Sequence, residues 1–153
     1  MSAFERTYTA RWADMDPNGH MRHSAYTDYA AQHRIELLAA GGFTLGYFAK
    51  AGLGPILFRE DTRFLKEFHI NEIVRVTGEL AGLSPDGARW NIVHTLYKPD
   101  GRVAATVSVE GAWLDLRTRK LTTPPSEIMD LMGQLPHHES YQELVVKVKA
   151  EQG

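Results

Sequence analysis

The sequence predicts an α+β domain, a curved antiparallel sheet of about five strands wrapped around one long central helix. Three observations lead there. One long apolar segment near the N-terminus lies between a Pro-Asn-Gly turn and a Gly-Gly stop. The second half breaks into alternating stretches joined by turn chemistry at Ser84-Pro85-Asp86-Gly87 and Lys98-Pro99-Asp100-Gly101. Connections that short join antiparallel neighbours, and a nearly all-apolar helix needs a sheet to cover it.

Residues 4–12, FERTYTARW, alternate. Phe4, Tyr8, Ala10 and Trp12 share a face, with Arg6 the exception, which predicts a half-buried strand. From Asp14 to Gly41 runs the organising stretch, DMDPNGHMRHSAYTDYAAQHRIELLAAG. Pro17 fixes φ and Gly19 tolerates φ > 0, so a tight turn is expected before a helix over roughly 24–40. Ser24 is the expected N-cap and Gly41-Gly42 the stop. The apolar residues of this helix cover more than one stripe, so most of its sides should be covered. A short helical turn follows at 43–51, punctuated by Gly52 and Gly54-Pro55.

Ile56 to Phe68 reads as an unusually charged strand, followed by strands at Ile73–Leu83, Arg89–Tyr97 and Val103–Leu116. A short helix is expected near 126–133. The tail from 138 fits helix or strand equally. The whole chain, 1–153, is expected to be one domain with its core at about 4–133 and an extension at 134–153.

Hydrophobic residues make up 43% and charged residues 24%, ordinary values for a globular protein. A net charge of -2 gives no reason to expect nucleic acid as a partner. The absence of cysteine excludes disulfides, thiolate catalysis and cysteine metal sites. The first residues lack the apolar core of a signal peptide, and no apolar run reaches spanning length, so a cytoplasmic protein without membrane insertion is expected.

The chemistry concentrates at the turn. Asp14 and Asp16 stand just before a helix start, where free backbone N–H groups and the helix dipole favour negative charge. The plain structural reading of Asp16 is an Asx-turn ordering the Pro-Asn-Gly bend. Asp14 reads as a loop-ordering residue, and His20 as part of the turn. Asp16, His20 and His23 have a permissive spacing for a metal but match no metal signature, so no metal is expected. Glu60 shares a strand face with Ile56 and Phe58. It is either an exposed or salt-bridged charge, or a second carboxylate lining a cleft, its own or a neighbouring subunit's.

The stretch RWADMDPNGHMRHSAYTDYAAQHRIELL, with Gly54-Pro55, FLKEFHINEIVRV and LDLRTRKLTTPPSE, resembles the hot-dog-fold acyl-CoA thioesterases of the 4-hydroxybenzoyl-CoA thioesterase type. The resemblance spans roughly residues 5–132. Family members typically read as a strand, Asp-x-Asp, a glycine turn and a helix rich in Tyr and small residues. They usually carry Pro near Glu67 and Gly or Asp near Asn71, where this chain departs.

That resemblance implies hydrolysis of an acyl-CoA to free acid and CoA, with Asp16 as the catalytic carboxylate. Such a group activates water as a general base or attacks the thioester directly. The backbone N–H groups near His23, Ser24 and Ala25 would receive the charge that develops on the carbonyl oxygen. One branch of the family carries a histidine at the offset of His23, while Gly19-His20-Met21 looks like another branch. Arg117, Arg119 and Lys120 are candidates for the CoA phosphates, with ordinary hairpin solvation the alternative. Phe43, Tyr47 and Phe48 line an acyl pocket or pack in the core. No cofactor is implied beyond the CoA of the substrate, and a homodimer or homotetramer is expected. Alternatives are hydrolysis of an acyl carrier protein thioester and a non-catalytic acyl-CoA-binding domain.

Overall fold

The structure is a computed structural model that describes residues 4–145. A first strand, β1 (Phe4–Thr9), leads through one 3-10 turn at Trp12–Asp14 into the long helix α1 (His23–Ala40). A second helix, α2 (Leu45–Ala51), precedes β2 (Leu53–Phe64), β3 (Ile73–Leu83), β4 (Arg89–Tyr97) and β5 (Val103–Asp115). The described chain closes with β6 (Lys120–Leu121), α3 (Ser126–Gly133) and β7 (His137–Glu143). One sheet runs in the order β1-β3-β4-β5-β2, with β6 beside β5 and β7 beside β3. Its pairings are antiparallel except that of β7 with β3. The expected sheet around one helix is therefore present, enlarged by two short strands.

The core lies between α1 and the inner sheet face. Ala25, Tyr26, Tyr29, Ala30, Leu37 and Leu38 of α1 meet Val74, Val76 and Leu80 of β3, Ile92 and Leu96 of β4, and Val107 and Val109 of β5. Ala25 and Ala30 carry almost no bulk, which lets the helix approach the sheet closely. Burial of each large side chain here stabilises the fold by about 1.5–3 kcal/mol. At the far end, Gly111 is required. A Cβ there would stand 2.5 Å from both the Ile56 carbonyl and the Trp90 ring.

Several elements differ from the sequence expectation, each for a local reason. β1 stops at Thr9, and Trp12 is 79% exposed instead of sharing the buried face. The cause is Asp14, whose carboxylate accepts from the Arg11 amide and guanidinium and pulls the chain into the 3-10 turn. The N-cap of α1 is Arg22 and not Ser24. Ser24 lies inside the first turn, where its hydroxyl accepts from the Arg22 guanidinium at 2.6 Å. Nor is α1 covered on most sides, since Ala31, Gln32, Ala39 and Ala40 are exposed. Alanine is small enough to remain in water at little cost, so it inflated the apolar face.

β2 runs from Leu53 to Phe64 where Ile56 to Phe68 was expected. Beyond it, the Leu65 and Lys66 amides both donate to the Ala104 carbonyl and turn the chain off the sheet, delivering Phe68 to the core. A bulge between Leu57 and Arg59 breaks the period-two pattern, so Phe58 and Glu60 are both exposed. The tail resolves to the strand β7, while residues 146–153 lie outside the described residues. Asn71 takes φ 69°, the left-handed conformation for which glycine is the default and Asn a common substitute.

Candidate active site

Asp16 is fixed by the turn it opens. Its Oδ1 accepts from the Asn18 amide at 2.8 Å and the His20 amide at 3.1 Å. Its own amide donates to the His20 carbonyl at 2.7 Å, and Gly19, at φ 82°, donates back to the Asp16 carbonyl. This is the Asx-turn anticipated on structural grounds. It engages one carboxylate oxygen only. Among the described residues Oδ2 has no hydrogen-bond partner, so the side chain is both positioned and chemically available.

Asp16 lines a cleft of about 370 Å³ together with His20, Met21, His23, Tyr26 and the segment Phe64–Glu67. His23 is the first residue of α1, and among the described residues no side chain caps that end. The Ala25 amide donates to the Arg22 carbonyl at 2.9 Å. The amides of His23 and Ser24 therefore remain at the mouth of the helix, where four N–H groups lack intrahelical partners and the dipole is positive. The Tyr26 hydroxyl donates to the Lys66 carbonyl at 3.1 Å and ties the helix to the opposite wall. A carboxylate, an imidazole and uncapped amides around one cleft can activate water and stabilise an oxyanion.

Asp14 is held differently. It is buried, and its carboxylate accepts from the Arg11 guanidinium at 3.0 Å and from the Tyr29 hydroxyl. Burial pushes its carboxyl up, but the hydrogen bonds from Arg11 and Tyr29 outweigh that and hold it below the usual range. Burial and the same bond push the Tyr29 phenol up to about 12. Asp14 thus orders the loop that presents Asp16.

The remaining candidates lie elsewhere within one chain. Glu60 is exposed on β2 and does not line the cleft. Arg117, Arg119 and Lys120 sit on the β5–β6 hairpin, with Asp115 ordering its amides. β5 starts near the cleft, where Ala105 faces Phe64, and ends beside Leu53, where Asp115 pairs. The hairpin is thus roughly 30 Å from the cleft, the length of ten strand residues. Phe43 and Phe48 are buried, and Phe48 stacks on Trp113, so they pack in the core. An apolar cavity of about 220 Å³ lies instead under the C-terminal half of α1, lined by Ile35, Leu38, Trp90, Trp113 and Met132.

Two features escaped the sequence reading. Tyr26 and the 64–67 segment form a wall of the cleft, visible only once β2 is known to end at Phe64. Glu67 and His69 converge with His20, with donor atoms within 4.8 Å of one another. The alternation Glu67–Phe68–His69 was the available signal.

Comparison with known families places this architecture. The model of the thioesterase-like superfamily matches residues 10–132. The chain belongs to the thioesterase-like superfamily. It is accordingly a thioester hydrolase by family, and no curated protein matches its sequence. Among solved structures, a hypothetical protein of Staphylococcus aureus in complex with CoA has a TM-score of 0.80 at 22% identity, covering 90% of this chain and 88% of that one. A 1,4-dihydroxy-2-naphthoyl-CoA thioesterase from Synechocystis gives 0.78 at 14% identity, over 90% and 100%. A DHNA-CoA thioesterase from Staphylococcus aureus gives 0.76 at 19% identity, over 84% and 87%. These likenesses establish the hot-dog fold. In the described residues, no helix of this superfamily member is long and apolar enough to cross a membrane.

Proposed function

We propose that this chain hydrolyses an acyl-CoA thioester to the free acid and CoA, with Asp16 as general base or nucleophile. One observation carries the reading: Asp16 has one carboxylate oxygen fixed by two amides and the other free, in a cleft that the uncapped start of α1 also lines. As base, Asp16 takes a proton from water as the oxygen attacks the thioester carbonyl. The oxyanion accepts from the His23 and Ser24 amides, His23 assists as a polar neighbour, and collapse breaks the C–S bond. The departing thiolate takes the proton. As nucleophile, Asp16 attacks the thioester carbonyl and expels the CoA thiolate. Water then opens the resulting anhydride to the free acid and the Asp16 carboxylate, its released proton passing to the thiolate. Neither route needs a cofactor. The neighbours named as CoA thioesterases, and the one solved with CoA, support CoA as the carrier.

The site is completed by a second copy. β2 is a terminal strand of the sheet, and Phe58 on it is 55% exposed. Two-fold pairing of β2 edges sets the Phe64 end of one strand beside the Leu53 end of the other. That brings the β5–β6 hairpin of the partner, with its copies of Arg117, Arg119 and Lys120, towards this cleft, and its Glu60 along the same edge. The acyl carrier protein alternative uses the same chemistry, and a non-catalytic binding domain would hold acyl-CoA without turnover.

A panel of short, medium, long and aromatic acyl-CoAs, read by released thiol, tests the activity. Asp16→Asn keeps the turn-forming side chain and removes the charge. It should lower kcat at least about a hundredfold, the low end of general-base contributions, with acyl-CoA still bound and Tm near wild type. A folded Asp16→Asn protein with near wild-type turnover would shift the base to Glu60 or His23.

A further inference from the structure

Beside the turn that carries Asp16, three side chains meet that the hydrolytic reading leaves idle. The Nε2 of His20 lies 3.1 Å from a carboxylate oxygen of Glu67. The His20 and His69 rings stand 5.1 Å apart, edge to face. Donor atoms of all three lie within 4.8 Å of one another.

Their convergence is built into the backbone. His20 and His69 form a β-bridge, and the Met21 amide donates to the Phe68 carbonyl at 2.8 Å. Phe68 is fully buried, so Glu67 and His69 on either side of it turn outward together, as period-two backbone requires. The His69 amide donates to Glu72 at 2.8 Å, and Glu72 is locked by Lys98 at 2.6 Å. His20 is pinned at both its amide and its carbonyl by Asp16. Only the side chains remain to adjust.

We propose that His20, Glu67 and His69 form a binding site for a divalent transition-metal ion of the zinc class. Two imidazoles and one carboxylate are the donor set of such ions and not of calcium or magnesium, and water would fill a fourth, tetrahedral position. Tetrahedral ligand atoms at about 2.1 Å from Zn²⁺ stand about 3.4 Å apart, so closure asks for roughly an ångström of rotation. Glu67, 62% exposed, and the exposed His69 have that freedom. The ion would replace a solvated His–Glu pair by metal bonds.

The consequence for the cleft rests on the function proposed above. His20 lies on the turn wall and Glu67 on the strand-exit wall, and both line the cleft. An ion joining them ties the walls together beside Asp16 and hinders entry of the thioester. Zn²⁺ is then an inhibitor, and chelation leaves hydrolysis intact or raises it.

The test begins with chelator-treated, dialysed protein titrated with Co²⁺ and then Zn²⁺. One equivalent of Co²⁺ should give the intense visible spectrum of a tetrahedral site, and Zn²⁺ should displace it. His69→Gln and Glu67→Gln, both exposed changes, should each weaken binding more than about tenfold, the low end of what even supporting residues of a metal site cost. No uptake, binding unchanged in both variants, or binding lost in His138→Gln instead would overturn the site. In the hydrolysis assay Zn²⁺ should slow the wild type reversibly and spare His69→Gln, each compared with its own metal-free rate. Because the cobalt spectrum needs no substrate, a protein that hydrolyses no acyl-CoA but binds the ion refutes the reading of the cleft and upholds the metal site.

Discussion

Asp14 and Asp16 stand two residues apart and are held in opposite ways. Asp14 is buried with both oxygens engaged by Arg11 and Tyr29, whereas Asp16 keeps one oxygen free at the cleft. Loss of a charged acceptor from a buried network leaves its donors unsatisfied. Asp14→Asn should therefore cost about 2–3 kcal/mol of stability and affect kcat less than Asp16→Asn does. Denaturant unfolding beside steady-state kinetics separates the two effects. Because Asp14 has a depressed carboxyl pKa in the folded state, its contribution is present above the unfolded pKa and is lost as pH falls through the folded one. The sequence marked both aspartates and read Asp14 as ordering the loop, but the partner that holds it, Tyr29, lies fifteen positions away and comes from the tertiary structure.

At the scale of elements, the contact of α1 with the sheet contains an unusual pair. His33 of α1 and His94 of β4 are both fully buried with ring centroids 5.1 Å apart. His33 Nε2 bonds the Phe4 carbonyl at 3.1 Å, but its Nδ1 and both nitrogens of His94 have no partner among the described residues. Burial pushes His33 down to about 4 and His94 well below its ordinary value. Between pH 6.5 and about 4 the unfolded chain takes up protons that the folded chain refuses. Stability is thus full above 6.5, falls as pH drops through that window, and for His33 levels off below about 4. A shift of that size is worth roughly 3 kcal/mol at about 1.4 kcal/mol per unit. His94→Leu should flatten the pH dependence of Tm. An unchanged slope would remove the imidazole pair from the account of acid sensitivity.

For the whole molecule, the free sheet edge bears on assembly. β2 is a terminal strand with exposed Phe58, Phe64 and Leu65 along and just beyond it. An edge of that character pairs or aggregates. Light scattering at working concentration should show a dimer at least, and a fully active monomer would refute the two-chain site. In the proposed assembly, Arg119 and Lys120 are the groups set to meet the nucleotide of CoA. Replacing both with Ala should raise KM for acyl-CoA with little change in kcat, the mark of uniform binding lost. An N-acetylcysteamine thioester lacks the nucleotide and should be insensitive to that change. Equal losses on both substrates would return the hairpin to a structural role.

The sequence by itself determined the fold class, the order of the five main strands along the chain and the turn that carries Asp16. Those properties are local: alternation, Pro-Asp-Gly and Pro-Asn-Gly turns, and apolar helix composition act between near neighbours. Tertiary structure decided what local rules do not contain. The end of β2 follows from Leu65 and Lys66 both reaching Ala104. The burial of His33 against His94 requires α1 and β4 to meet across Gly78. The cleft exists because Tyr26 on α1 reaches Lys66, and the His20–Glu67–His69 cluster because Phe68 enters the core between Glu67 and His69. Each joins segments more than ten residues apart, and such contacts are fixed only when the helix and sheet close on one core.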